Sequence, residues 1–223
     1  MKILAIDSTT RFLCLGLHDN GKNYEYTMEM GPRLSSLLAV TVQRAMEALS
    51  LQVSDIDYFA CGLGPGSFTG IRVGVAAIKG LSFAVKKPVI GVATLDLLAR
   101  NALADEGYIV PAVDAKRNLI YCGIYHKSNG RLKKISPYML LSPDVFCKKV
   151  RAHSFILGDA AGLYKQEMLK GIRGVSLLDK DYWYPKPHNL IDIVLEKARK
   201  CRSSSAFDVK PIYLYPKECQ IKR

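Results

Sequence analysis

The chain has 223 residues, 49% of them hydrophobic, and a formal net charge of +12 at pH 7. This composition can bury the core of one large domain or two small ones. No apolar stretch approaches the roughly 18–20 residues of a membrane helix, and Asp7 interrupts the short apolar start, so we expect a cytoplasmic protein with no membrane partner and no signal peptide.

The first hundred residues contain strand and helix patterns in a defined order. Two strands are predicted over 2–7 and 12–18, and a third, more polar strand over 24–30. Apolar residues from Leu34 to Leu49 then recur at spacings of three and four, as on one face of a helix. A strand over 58–63 and a second helix complete the order strand, strand, strand, helix, strand, helix.

The turn into that second helix is rich in glycine. Gly64 and Gly66 permit backbone angles that are closed to other residues, and Pro65 fixes φ at the turn. Ser67 or Thr69 is expected to cap the helix by accepting a hydrogen bond from an early backbone N–H.

Small residues continue along one face of the same helix, at Gly70, Gly74, Ala77 and Gly80. Each interior glycine costs roughly 0.5–1 kcal/mol relative to alanine, so the pattern requires a reason. Three reasons are open: close packing against another helix of this chain, a subunit interface, or anion binding at the helix start.

The second half repeats the order of the first. Three strands are predicted over 109–114, 119–126 and 131–141, with Asn129-Gly130 as a hairpin turn. Ser142 and Pro143 indicate a capped helix start, followed by a strand over 155–158 and a helix over 160–169. Further helices are expected over 95–104, as a link, and over 190–200.

This repetition predicts an α/β fold made of duplicated actin/Hsp70/sugar-kinase-like (ASKHA) domains. We expect one domain over 1–105, carrying the partner-binding helices, and a second, more basic domain over 106–223. The last helix can pack back on the first domain, so the boundary in sequence need not be the boundary in space.

Charge and cysteine are unevenly placed. Residues 101–223 carry 22 Lys and Arg against 12 Asp and Glu, whereas residues 1–100 carry 10 against 8. The basic half suits either an ordinary solvated surface or the attraction of a phosphate backbone.

Cys14, Cys61 and Cys122 lie within predicted strands, and the six cysteines contain no Cys-x-x-Cys pair, which favours reduced core residues over disulfides.

Candidate chemistry is sparse. Asp7, with Ser8 and Thr9, and Asp114 occupy equivalent turns of the two halves, where carboxylates can flank a nucleotide-bound Mg²⁺. The second turn, however, has no glycine to close around a phosphate. No catalytic set, metal site or cofactor is predicted, because the four histidines lie far apart and no serine or cysteine has identifiable catalytic partners.

Several motifs resemble the TsaB (YeaZ) family. They are Ile3–Thr10, Gly64–Gly74, Pro111–Tyr121 and Pro211–Leu214, in that order along nearly the whole chain. One segment departs from the family pattern, since Gly31–Leu38 replaces the His-Ser-Glu-like sequence common before the first long helix. No role of that histidine or glutamate is carried over.

The resemblance implies a non-catalytic scaffold that dimerises with the metal-bearing paralogue TsaD. TsaD transfers a threonylcarbamoyl group to the adenosine beside the tRNA anticodon, and the ATPase TsaE and the tRNA are implied as partners through the complex. Two alternatives remain, an ATP-binding kinase or hydrolase of the same fold and a homodimeric regulatory protein. The interface is predicted to include these residues: Leu38, Val42, Ala45, Gly70, Gly74, Ala77 and Gly80.

Overall fold

The computed structural model describes residues 1–216, and Cys219 therefore lies outside the described residues. The chain forms two compact units. The first unit contains Met1–Leu97 and Pro185–Ile212, and the second contains Leu98–Tyr184 and, of the described residues that follow Ile212, 213–216. The first boundary along the chain lies after Leu97 instead of at residue 105, and the last helix belongs to the first unit, as the sequence allowed.

A five-stranded mixed sheet forms the centre of the first unit, in the order β3-β2-β1-β4-β5. β1 pairs antiparallel with β2 and parallel with β4, and the helices follow the predicted sequence order. The elements of this unit are β1 (Lys2–Asp7), β2 (Phe12–Asp19), β3 (Lys22–Glu29), α1 (Leu34–Glu47), β4 (Tyr58–Gly62), α2 (Phe68–Val85), β5 (Val89–Val92) and α7 (Pro187–Arg199).

Alternation along the strands divides the core of this unit into two layers. Leu4 and Ile6 of β1 face the cluster that contains the buried residues of α1 and α2. Ile3 and Ala5, on the opposite face of the same strand, pack with Ile191 and other buried residues of α7. The sheet is therefore covered on both faces, by α1 and α2 on one side and by α7 on the other.

The second unit contains a seven-stranded mixed sheet, with β8 and β9 beside the path β10-β7-β6-β11-β12. The helix α3 (Thr94–Ala99) leads from the first unit into it. Its other elements are β6 (Gly107–Lys116), β7 (Leu119–Cys122), β8 (Tyr125–Ser128), β9 (Arg131–Lys134), β10 (Met139–Leu141), α4 (Pro143–Lys149), β11 (Phe155–Leu157), α5 (Asp159–Leu163), α6 (Lys165–Gly171) and β12 (Ser176–Leu177).

Two of the three strands predicted at the start of this unit are each divided in the structure, whereas β6 is longer than the predicted 109–114. The predicted strand over 119–126 is two strands, β7 and β8, and the one over 131–141 is β9 and β10. Both breaks arise because β7 pairs with β10, whereas β8 pairs with β9. The Asn129-Gly130 hairpin is confirmed, with positive φ at both residues.

The predicted helix starts and lengths in this unit also need correction. The helix over 160–169 is interrupted at Tyr164, and the link over 95–104 is helical only as far as Ala99. Ser142 stands at the start of α4 without a side-chain cap hydrogen bond, so Pro143 is the confirmed part of that signal.

Candidate functional site

The turn between β4 and α2 has the geometry that its glycines and serine predict. Gly64 has a φ of +88°, and Ser67 is the cap residue of α2, its Oγ accepting a hydrogen bond from the N–H of Gly70 at 3.2 Å. Of the two candidate caps, Ser67 is therefore the one that acts at the first turn. The same turn brings the start of α2 against the loop after β1.

The first two glycines of the stripe on α2, Gly70 and Gly74, pack against that loop and not against another helix. A Cβ on Gly70 would lie 2.0 Å from the carbonyl oxygen of Ser8, and one on Gly74 would lie 2.2 Å from Oγ of Ser8. The Ser8 hydroxyl donates to the carbonyl of Gly70 at 2.9 Å. The close packing is thus internal, as one of the three explanations allows, but its partner is a strand-to-strand loop.

Most of the predicted interface residues are consequently unavailable to a partner. Gly70 and Gly74 are buried against Ser8, and Ala77 packs partly on the core. Gly80 is exposed, and a Cβ there would have nothing within 4 Å. The helix α1 requires the same correction, because these residues lie in the core: Leu38, Val42 and Ala45.

The opposite faces of α1 and α2 are exposed and partly apolar. On α2, Ala76 and Gly80 are exposed, and Phe83 retains 63% of its surface. On α1, Ala39 is exposed and Val40 retains 42% of its surface. We call these five residues the outer helix face. All five positions are exposed and lie outside the core that the other sides of both helices share.

Asp7 lies at the end of β1 in a buried polar cluster. Its carboxylate accepts hydrogen bonds from the N–H of Thr9 at 2.9 Å, from Oγ1 of Thr9 at 2.7 Å and from Oγ1 of Thr94 at 2.9 Å. Burial raises the pKa of this carboxyl, and the same hydrogen bonds oppose that shift. Sequence reasoning missed Thr94, because no local pattern links residues 87 positions apart.

This cluster corrects the nucleotide-binding prediction for the first turn. Asp7, Ser8 and Thr9 are buried, and their side chains are engaged with one another's backbone, with Thr94 and with α2. The buried Asp7 carboxylate ties the loop to Thr94 at the start of α3, whereas Ser8 ties the same loop to α2. The geometry gives it no open position toward a phosphate or a metal.

Asp114 lies near the end of β6 in the second unit, just before the turn to β7. Its carboxylate pairs with the Lys116 ammonium at 2.5 Å, and its N–H donates to Oδ1 of Asp159 at 2.8 Å. Burial raises the pKa of the Asp159 carboxyl. Lys116, Arg117 and Asn118 all have positive φ, so this turn reverses without glycine. The predicted nucleotide role of Asp114 remains untested, and its carboxylate serves the turn itself.

Other expectations concern metals, cysteines and membranes. Within residues 1–216 no group of three or more His, Cys, Asp or Glu side chains is placed to hold a metal ion. Cys14, Cys61 and Cys122 are buried free thiols in strands, as predicted, and burial raises the pKa of Cys61 and Cys122 to about 12. The membrane expectation needs one correction. By length and composition alone, α2 is long and apolar enough to cross a membrane.

Comparison with known proteins places these features in a family. Residues 31–152 match the family model of TsaD, described as tRNA N6-adenosine threonylcarbamoyltransferase. The tRNA threonylcarbamoyladenosine biosynthesis protein TsaB of Bacillus subtilis is 28% identical, over 100% of this chain and 97% of its own length. TsaB of Escherichia coli is 27% identical, over 96% and 94% of the two chains.

Solved structures agree with the sequence relatives. A crystal structure from Pseudomonas aeruginosa, of a protein described as similar to the peptidase YeaZ, superimposes with a TM-score of 0.84 at 25% identity, covering 96% of this chain and 99% of that one. YeaZ from the same organism gives a TM-score of 0.81 at 25% identity, covering 95% and 100%.

Proposed function

The chain belongs to the TsaB (YeaZ) family, within the wider TsaD-related family, and on that premise we propose that it is a non-catalytic subunit of tRNA threonylcarbamoyladenosine biosynthesis. Its partner is TsaD, the threonylcarbamoyltransferase whose family model it matches. TsaE and the tRNA join through the assembled complex, which works in the cytoplasm.

The outer helix face is the observation that carries this proposal. Two adjacent helices, α1 and α2, present small and apolar side chains to solvent on the side away from their own core. Ala76 and Gly80 allow the backbone of another helix to approach closely, and Phe83 supplies apolar area beside them. Paired with two helices of a related subunit, this face completes a four-helix bundle.

The bonding of the two turn carboxylates supports the non-catalytic role. Asp7 is buried and hydrogen-bonded through both carboxylate oxygens, and Asp114 is paired with Lys116. Neither carboxylate is left open toward a reacting group. The chemistry in the complex is accordingly assigned to TsaD, and this chain contributes the surface on which TsaD is held.

Light scattering on size-exclusion runs tests the proposal, with this chain alone and mixed with TsaD from the same genome. The mixture is expected to contain a species of heterodimer mass. Gly80→Leu and Ala76→Glu are expected to remove that species, because both positions are exposed and both changes block close helix approach. Ala152→Glu, an equal change at an exposed position of the second unit, is the matched control.

The light-scattering results test the pairing with TsaD and the position of the interface separately. Unshifted peaks for the wild-type mixture would refute the pairing with TsaD. A heterodimer that forms equally well with Gly80→Leu, Ala76→Glu and Ala152→Glu would refute the outer helix face as its interface. The chain alone is expected to form a homodimer through the same face, so both variants should also lower its mass in sedimentation.

A further inference from the structure

The second unit carries a row of aromatic and basic side chains across three neighbouring strands. Tyr108 of β6 lies opposite His126 of β8, and His126 lies opposite Lys133 of β9. Residues that face each other across a pair of strands project to the same side of the sheet. The ring centroids of Tyr108 and His126 are 5.0 Å apart, with the ring planes tilted by 47°, so these two partly buried rings are in contact.

Arginine and lysine side chains flank these two rings. The Arg151 guanidinium lies 4.7 Å from the centre of the Tyr108 ring and donates a hydrogen bond to its hydroxyl. Lys133 and Arg151 are exposed, whereas Tyr108 and His126 are partly buried. Arg131 lies two residues before Lys133 on β9, so both side chains project to the same side of the sheet. Arg131 is thus the third exposed cation of the row.

We propose that this row, which we call the basic row (Tyr108, His126, Arg131, Lys133 and Arg151), binds the phosphate backbone of RNA. Exposed cations beside partly exposed rings provide both ion pairing with phosphates and a stacking surface for bases. The excess positive charge of residues 101–223 attracts the same polyanion over longer distances. The inference rests on the proposed function only for the choice of tRNA as the probe.

Acidic residues beside the row and the edge position of β9 both bear on whether RNA is its ligand. The exposed Asp105 and Glu106 immediately precede β6 and limit the row on that side. Lysine and arginine on the edge strand β9 also discourage pairing with a strand of another molecule. Protection of the edge strand does not account for Arg151, which comes from the segment after α4 and lies over the Tyr108 ring. A site that binds phosphate would use cations from both elements.

The experiment is fluorescence anisotropy of a labelled, unmodified tRNA transcript titrated with the full-length protein. Lys133→Glu is expected to weaken binding about tenfold, and to lower the slope of log affinity against log salt by about one. Lys134→Glu is the matched control, because it makes the same charge change one residue away on the opposite side of β9. Its expected effect is about twofold or less.

Arg151→Gln is expected to weaken binding as well, since it removes a cation from the segment outside the β8–β9 hairpin. Equal losses for Lys133→Glu and Lys134→Glu would overturn the proposal, because they would mean that only overall charge matters. Absence of binding by the wild type, or equal displacement by poly-L-glutamate, would overturn it too. Lys133→Glu should still pair with TsaD, so failure here is distinguishable from failure of the scaffold function.

Discussion

Replacing Gly74 with alanine is expected to destabilise the first unit, whereas replacing Gly80 with alanine in the same helix is expected to stabilise it. A Cβ at Gly74 would lie 2.2 Å from Oγ of the buried Ser8, which is closer than nonbonded atoms approach. A Cβ at Gly80 would have nothing within 4 Å. The two substitutions make the same chemical change and differ only in what the new methyl group meets.

The sizes of the two stability changes follow from three contributions: the helix propensity of alanine, the loss of a hydrogen bond and the displacement of the loop. Alanine gains about 1 kcal/mol over glycine in a helix interior, and at Gly80 this is the whole effect. At Gly74 the methyl group must displace the Ser8 hydroxyl from the Gly70 carbonyl, which it contacts at 2.9 Å. Losing that buried hydrogen bond costs about 1–3 kcal/mol, and displacing the loop about 1–3 more. After the helix gain is subtracted, we therefore expect Gly74→Ala to lower the free energy of unfolding by about 1–5 kcal/mol.

Urea unfolding followed by far-UV circular dichroism measures both effects, compared through midpoints at unchanged m-value. Ser8→Ala provides an internal test, because the Cβ of Ser8 lies 3.5 Å from the new methyl position, an ordinary contact distance. In that background Gly74→Ala should cost little or should stabilise. If Gly74→Ala stabilises the wild type as Gly80→Ala does, the assignment of the glycine stripe to loop packing is wrong.

Two further predictions concern buried polar groups. Burial raises the pKa of the Asp7 carboxyl above 3.8, so this carboxyl holds its proton more tightly in the folded protein than in the unfolded chain. The unfolding free energy of the wild type relative to Asp7→Asn should thus be highest below about pH 4 and fall as pH rises through the raised pKa. Titrating urea midpoints against pH measures it, and a rise with pH would contradict it. Asn101→Ala removes two hydrogen bonds from Nδ2, to the carbonyls of Tyr182 and Tyr184. It should cost about 1–3 kcal/mol and speed proteolysis near Trp183, whereas unchanged cleavage would contradict it.

The element order of the first unit could be predicted because each element carries a local signal. Strand β1 has an uninterrupted apolar run, α1 has apolar residues at spacings of three and four, and the turn before α2 has Gly64 and Ser67. These signals depend on residues within a few positions of one another. The Asn129-Gly130 hairpin belongs to the same class, since its positive φ values are a property of the turn itself.

The second unit was harder to predict because its strand breaks are set by distant pairing. Only Gly123 and Ile124 lie between β7 and β8, and one glycine within an apolar run is a weak signal of a break. The break exists because β7 and β8 have different partners, β10 and β9, along the same β6. Which strand each segment pairs with depends on the assembled sheet, and the local signals, Gly123 here and Pro137 between β9 and β10, do not specify the partner.

The sequence by itself determined the family, the α/β fold and the unusual demand for small residues along α2. Only the tertiary structure decided what those small residues serve. Spacing places Gly70, Gly74 and Gly80 near one face of a helix, but it does not say what lies opposite. The chain brings Ser8 against the first two and leaves Gly80 in solvent. The candidate interface therefore moves to the outer helix face, because a surface buried by its own chain cannot bind another.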